Sequence, residues 1–400
     1  MTISTLSFQM NAAEQMDALQ QALSRTQTQL STGLKLQNAA DNPVAMAQVD
    51  ALNTDLSASQ QYVTNGNLAS TNLNLEAQAL TDATNLLQSA RDIALQGNNA
   101  TLNASDRQNL ATQLQHQLQQ LVAIGNRQDG EGNYLFSGYA AGTQPFAQNG
   151  NAVTYSGANE VSQVQLSAEQ SISTGDAGSS VFMNIPAGNG TFTTTAASAN
   201  TGTASIGAGT VTDPSQWVPD TYTIAFSSAT QYTVTDQKTG AVVTSGTLSS
   251  TSSAPNTIAF NGIQITLNGA PSAGDSFTVA PAGTASVFST MSGLISTLNS
   301  TTLSPAEIAT QLNQGIEQID QALNHFGNVQ ASVGARINAV TASQATAQSQ
   351  QTDYQTTVSQ LSNVDYAKAT TQLSTEELAL QAAQASYASM EKLSLFNYVS

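Results

Sequence analysis

Residues 305–361 constrain what this chain can fold into more than any other stretch. Leu312, Ile316, Ile319, Leu323, Phe326, Gln330, Val333, Ile337, Val340, Gln344, Ala347, Gln351, Tyr354, Val358 and Leu361 follow one another at alternating four- and three-residue steps. This heptad spacing keeps one stripe facing partner helices turn after turn. Ser304-Pro305-Ala306-Glu307 supplies its start, with an N-cap serine, a proline at the first helical position and a capping-box glutamate. The stretch predicts one helix of about 85 Å at 1.5 Å per residue. A globular core needs no rod of that length, so the chain reads as part of an elongated assembly, with a plain coiled-coil spacer as the bland alternative.

Four hundred residues, 40% of them hydrophobic, suffice for two or three domains with a buried core. Only 9% of residues are charged and the formal net charge is -17. Solubility therefore rests on Gln, Asn, Ser and Thr and on a modest acidic excess. The nine Lys and Arg are spread singly, with Lys238 alone between Arg127 and Arg336, which argues against nucleic acid and against an anionic membrane surface. No run reaches the ~18 apolar residues of a membrane span, and Met1-Thr2-Ile3-Ser4 does not open a cleavable signal. Cysteine is absent, so disulfides and thiolate chemistry are excluded.

Taken in order, Ala12, Met16, Leu19, Leu23, Thr26, Leu30 and Gly33 mark a first helix over about 5–34. The chain then bends at Asp41-Asn42-Pro43, where Asp41 or Asn42 can cap a new helix beginning at Pro43. That helix carries one stripe from Val49 to Leu87 and a second through Leu68, Leu75, Leu86 and Ile93, which predicts a bundle of at least three helices. Ser105-Asp106-Arg107-Gln108 reads as a capping box for a third helix, with Leu110, Leu114, Leu118, Leu121 and Ile124 buried. The alternating aromatics of 134–139, after the glycine-rich Asp129-Gly130-Glu131-Gly132-Asn133, predict a strand paired with 152–155. The acidic turn lacks the further oxygen ligands of a calcium loop.

From 144 to 285 the texture is β, with Asn261-Gly262 as the strongest hairpin signal. The stretch 193–212 fits an ordered β segment or a loop, and Trp217 fits a core plug better than a ligand platform. Helical pattern returns at Val287. Beyond Leu361 the seam slips by one residue at Asn363-Val364-Asp365 and continues through Ala369, Leu373, Glu376, Leu380, Ala383, Tyr387 and Met390, predicting a second joint. The expected fold class is therefore α+β and multidomain. Both chain ends form a long antiparallel helical bundle or coiled coil, interrupted by an inserted β-rich domain. The expected domains are 1–40 plus 364–400, 42–143 plus 286–362 with a β-hairpin, and 144–285. Asp41, Asn42, Pro43, Asn363 and Asp365 are the expected inter-domain joint, and the apolar final residues 394–400 read as a docking end.

No catalytic constellation is legible. His116 and His325 stand alone on helical stretches, and no metal-ligand, nucleophile-elbow, P-loop or dinucleotide pattern occurs. No enzyme activity, cofactor or metal is expected.

Gln29-Leu30-Ser31-Thr32-Gly33-Leu34-Lys35 with Asn38-Ala39-Ala40-Asp41 resembles the N-terminal signature of bacterial flagellins. Val333-Gly334-Ala335-Arg336-Ile337-Asn338 and residues 378–387 resemble their C-terminal region. Asp41-Asn42-Pro43-Val44-Ala45, the run from Leu110 into Tyr134-Leu135-Phe136-Ser137-Gly138-Tyr139, and Ser394-Leu395-Phe396 are similar to the hook-associated members of that family. The resemblance covers about 1–146 and 287–400.

It implies paired chain ends as an inner layer, middle helices as a second, and a variable β domain pointing outward. It also implies a structural piece at the hook–filament junction, secreted unfolded by the flagellar type III apparatus without a cleaved signal. The implied partners are further copies of the chain in a ring, the first hook-associated protein, flagellin, and an export chaperone at the C-terminal region. Met16, Leu19, Leu23, Leu30, Leu373, Leu380, Tyr387 and Met390 are the expected subunit-assembly residues. A flagellin filament subunit, a secreted coiled-coil adhesin or fibre, and a flagellin-like hydrolase are the alternatives at this point.

Overall fold

The computed structural model describes residues 2–99, 101–249 and 255–396, and the side chains of all of these except 2–6, 8 and 390–396. Six α-helices are described: α1 (Thr2–Thr32), α2 (Pro43–Gly97), α3 (Ala104–Gly125), α4 (Val287–Asn299), α5 (Pro305–Ser362) and α6 (Tyr366–Phe396). All described strands lie between Phe146 and Ala285. Both ends of the chain are thus helical around a central β-rich region, as the periodicities predict. The chain forms two compact units, Met1–Thr64 with Gln344–Ser400, and Asn65–Ser343.

Every seam residue predicted from Leu312 to Leu361 is buried or half-buried. The capping box that opens α5 is formed: the Ser304 amide donates to Glu307 Oε2 at 2.7 Å, and the Glu307 amide to Ser304 Oγ at 3.2 Å. The start of α3 differs from expectation. Its N-cap is Asn103, whose side chain takes the Asp106 amide at 3.0 Å from an extended backbone, so the helix begins ahead of Ser105.

In the unit Asn65–Ser343, helices α2 to α5 share one core. Leu73, Leu80 and Leu87, then Leu114, Leu118 and Leu121, then Met291 and Leu294, then Leu312, Ile319 and Phe326 are all essentially inaccessible. Burial of such side chains, at about 1.5 to 3 kcal/mol each, holds this bundle together. Leu68, assigned by spacing to a buried stripe, is 46% exposed. The bidentate pair Arg91–Asp320, with Nε to Oδ1 at 2.6 Å, ties α2 to α5 at the rim. Being half-exposed, it fixes alignment more than it stabilises.

Residues 134–139 do not form the predicted strand. Residues 152–155 pair instead with Phe146–Asn149 across Gly150-Asn151. Two effects coil the preceding segment. Asp129 Oδ1 collects the amides of Glu131 and Asn133 at 2.8 and 2.9 Å, tightening the turn. Gly138, at φ +61°, then passes so close to the carbonyls of Ala158 and Glu160 that no Cβ would fit. Phe136 consequently turns inward and meets Phe182 edge-on at 5.0 Å, within a cluster that includes Phe146, Phe288 and Phe326.

The β region has a second core. A five-stranded antiparallel sheet runs in the order Val242–Thr247, Gln231–Asp236, Tyr222–Phe226, Ser276–Pro281, Phe192–Ala196. In a second sheet, Ile263–Asn268 pairs with Asn256–Phe260 on one side and with Ser205–Ile206 and Thr210–Val211 on the other. Alternate residues, among them Ile224, Phe226, Ile263, Ile265, Phe277 and Val279, fill the space they share. Asn261 and Gly262 take φ 44° and 71°, the primed turn that Asn-Gly predicts. The stretch 193–212 is ordered in part as strands, and Trp217 packs on Phe192 and Tyr222 at 5.5 and 6.0 Å. Helix α5 holds this region through two glutamines. Gln318 Nε2 donates to the Pro186 carbonyl at 3.1 Å and its Oε1 accepts the Gly188 amide at 3.0 Å, while Gln314 Nε2 donates to the Thr194 carbonyl.

Candidate functional site

The first expected site lies in the unit Met1–Thr64 with Gln344–Ser400, where α1 packs on α6. Along α1, Ala12, Met16, Leu19, Leu23 and Leu30 are half-buried, and along α6 so are Leu373, Leu380, Ala383 and Tyr387. Among the described side chains of these two helices only Thr26 and Ala369 are fully covered, at 3% and 5% exposure. Met10 and Leu378 stay 58% and 67% exposed. A single partner helix covers one flank of a stripe and leaves the other open, in contrast with α3, where Leu114, Leu118 and Leu121 are closed in. The side chain of Met390 lies outside the described residues, as do the side chains of 394–396 and the whole of 397–400.

The five expected joint residues all lie in this one unit, at helix ends near one end of the pair. Gly33, at φ +75°, ends α1, and the chain reverses beside the end of α5. There the Lys35 amide donates to the Ser362 carbonyl at 2.7 Å, and the Val364 amide to the Gly33 carbonyl at 2.9 Å, bridging Leu34 and Asn363. Leu36 drops into a small core with Ala45, Val49, Val358 and Leu361.

Asn42 caps α2 by taking the Ala45 amide at 3.1 Å, and Pro43 is the first helical residue. Asp41 instead braces the reversal that precedes the helix, its Oδ2 accepting the amides of Gln37 and Asn38 at 2.9 and 3.0 Å. These two amides, then the paired Arg25 guanidinium, hold its carboxyl below the usual carboxylate range. Asp365 caps α6 through the Lys368 amide at 3.1 Å. The Arg25–Asp41 pair spans sixteen residues, so spacing could not reveal it. The cations that look scattered in the sequence also converge in part, since Arg25, Lys35 and Lys368 line one groove of about 590 Å³ with Asp365 and Glu376.

A second polar constellation, in the unit Asn65–Ser343, has no signal in the sequence. Glu76 of α2 is 1% exposed and neither of its carboxyl oxygens has a hydrogen-bond partner among the described residues. Burial, and then the charge of Asp176, push its carboxyl well above the usual range, against the opposing pull of Arg336. Arg336 is itself paired with Asp176 and donates from Nη1 to the Gly175 carbonyl at 3.2 Å. The histidines stand apart from both constellations: His116 is exposed, and His325 Nε2 donates to the Ser180 carbonyl at 2.8 Å. Among the described residues no three His, Cys, Asp or Glu converge to hold a metal ion, and no helix is long and apolar enough to cross a membrane.

Comparison with known proteins accounts for both helical ends and the insertion. The bacterial flagellin N-terminal helical region matches residues 3–141, and the bacterial flagellin C-terminal helical region matches 316–399. Residues 195–281 match the D2-like domain of flagellar hook-associated protein 1. Over 157 residues the chain is 32% identical to flagellar hook-associated protein 3 of Escherichia coli K12, a stretch covering 39% of this chain and 49% of that protein. The chain thus spans about half the length of the curated relatives it matches. Among solved structures, FlgL of Xanthomonas campestris superposes with a TM-score of 0.70 at 30% identity, covering 77% of this chain and 99% of that one. The flagellar junction protein FlgL of Legionella pneumophila superposes with a TM-score of 0.65 at 33% identity, covering 74% and 99%.

Proposed function

The chain belongs to the flagellin family, in the group of flagellar hook-associated protein 3, and from that premise we propose that it is a non-enzymatic structural piece of the extracellular flagellum. In this reading it joins hook to filament by assembling into a ring of its own copies, with the first hook-associated protein on one side and flagellin on the other. It leaves the cell unfolded through the flagellar export apparatus, guarded by a chaperone on its C-terminal region.

The observation that carries the proposal is the half-covered stripe on the α1–α6 pair, which leaves apolar surface for neighbouring copies to close. Met16, Leu19, Leu23, Leu30, Leu373, Leu380 and Tyr387, with Met390 in the same register, then form the assembly contact. Segments 1–40 and 364–400 act as the assembly layer, and 42–143 with 286–362 as its support under the insertion 144–285. Closing one large side chain against a neighbour contributes about 1.5 to 3 kcal/mol, repeated along each helix. The likeness of residues 195–281 to a hook-associated protein favours a junction over a filament subunit.

The test is complementation of a host lacking its own junction piece, scored by whether flagellin stays on the hook or is shed as monomer. The wild-type chain restores filaments. Leu380→Asp leaves a soluble chain with a folded middle unit that is not incorporated. Normal flagella built with Leu380→Asp would overturn the reading.

A further inference from the structure

Glu76 lines a pocket of about 200 Å³ between α2 and the loops after α3, with Leu68, Leu135 and Val164 as apolar wall and Asp129, Glu131 and Asp176 as acidic rim. Two of the rim carboxylates are committed. Asp129 is filled by amides of its own turn, and Asp176 by Arg336. Glu76 has no such partner, and burial beside Asp176 favours its protonated form, so a cation entering the pocket would have to take the place of its proton.

Chemistry selects the kind of cation. A divalent metal needs a shell of six or more oxygens, and although four carboxylates line the pocket, no three acidic or imidazole side chains among the described residues are placed to share one ion. An ammonium asks for three acceptors only, and its stem gains from an apolar wall. Gly175 brings two acceptors to one place. A Cβ there would stand 3.6 Å from both Glu76 Oε2 and the Leu135 carbonyl oxygen, so both border the position of the missing side chain. The volume equals roughly six or seven waters at about 30 Å³ each, room for a four-carbon amine.

We propose that this pocket binds a primary alkylammonium group, with the Glu76 carboxylate and the Leu135 carbonyl as its acceptors. Binding requires Glu76 ionised, so each ammonium taken up displaces the Glu76 proton to the solvent. The charged and titratable groups facing it are Asp176, Asp129, Glu131, Tyr134 and Arg336, and only Arg336 is cationic. Affinity therefore rises with pH through the range where Glu76 loses its proton.

Calorimetric titration of the full chain with n-butylammonium, in two buffers of different ionisation heat, tests this. The expected result is saturable one-to-one binding with proton release, weakened about tenfold for each pH unit below the Glu76 transition. Glu76→Gln weakens it at least tenfold. Gly175→Ala, which keeps the carboxylate and fills that position, does the same without altering the carboxyl's titration by NMR. Putrescine and an acetyl-lysine amide, as further titrants, separate a free amine from a lysine side chain as the source. Three results would each overturn the proposal: no saturation at millimolar amine, undiminished binding in both variants, or a calcium ion binding in the amine's place. So would a Glu76 carboxyl that titrates below the usual range in the free chain, as a Glu76–Arg336 pair would produce.

Discussion

A carboxyl group shows most plainly how position overrides sequence. Glu76 stands between Leu75 and Ala77 on a helix and reads there as one polar residue among many. Its pocket is closed by residues far away in the chain, among them Val164, Gly175 and Asp176. Asp41 and Asn42 are legible because capping is local: a short polar side chain next to a proline at the first helical position leaves few alternatives. The raised carboxyl of Glu76 makes a pH prediction with a definite sign. A folded-state value above the unfolded one means the folded chain holds the proton more tightly. Its contribution to stability is therefore complete in acid, below the unfolded range, and is lost as the pH rises through the folded one. Glu76→Gln, which cannot ionise, removes this pH-dependent loss and stabilises the middle unit at pH 7.5 relative to the wild type by on the order of 1 to 3 kcal/mol, at about 1.4 kcal/mol for each pH unit between the unfolded and folded transitions. The gain fades toward pH 4, and calorimetric melting at the two pH values measures it.

Elements defined by repetition are legible in the sequence, and those defined by a single distant contact are not. The α5 seam runs through fifteen positions from Leu312 to Leu361, so one misplaced residue could not hide it, and its capping box lies within four residues. The segment 134–139 offers only Tyr134 and Phe136 at period two before Tyr139 breaks the alternation. Its course follows from Asp129 behind it and from the Ala158 and Glu160 carbonyls ahead of it, the last invisible to any local window. The joint behaves in the same way. Its breaks are legible at Pro43 and Asn363, whereas the bridge from Lys35 to Ser362 spans most of the chain. Gly33 is the element-level point to probe. At φ +75°, with Tyr366 Oη only 3.0 Å from where a Cβ would stand, Gly33→Ala costs about 1 to 2 kcal/mol locally. Hydrogen exchange in the last turn of α1 is expected to quicken by about an order of magnitude, with that of α3 unchanged.

For the molecule as a whole, the contrast between half-covered and fully covered helices predicts a gradient of protection. In the free chain, amides of 10–32 and 366–389 should exchange well before those of 110–122, where Leu114, Leu118 and Leu121 are sealed. In intact flagella that difference should shrink by about two orders of magnitude, and exchange followed by mass spectrometry compares the two states. The glutamines of α5 bear on a different matter. Among the described residues, the side chains of Gln314 and Gln318 hydrogen-bond to carbonyls and an amide of the segment they hold and to no side chain. A grip that reads only main chain is indifferent to the letters written on what it grips. The β module can accordingly diverge, or be exchanged for a foreign antigen, while its mounting bracket stays unchanged, provided the replacement offers the same three backbone atoms to α5.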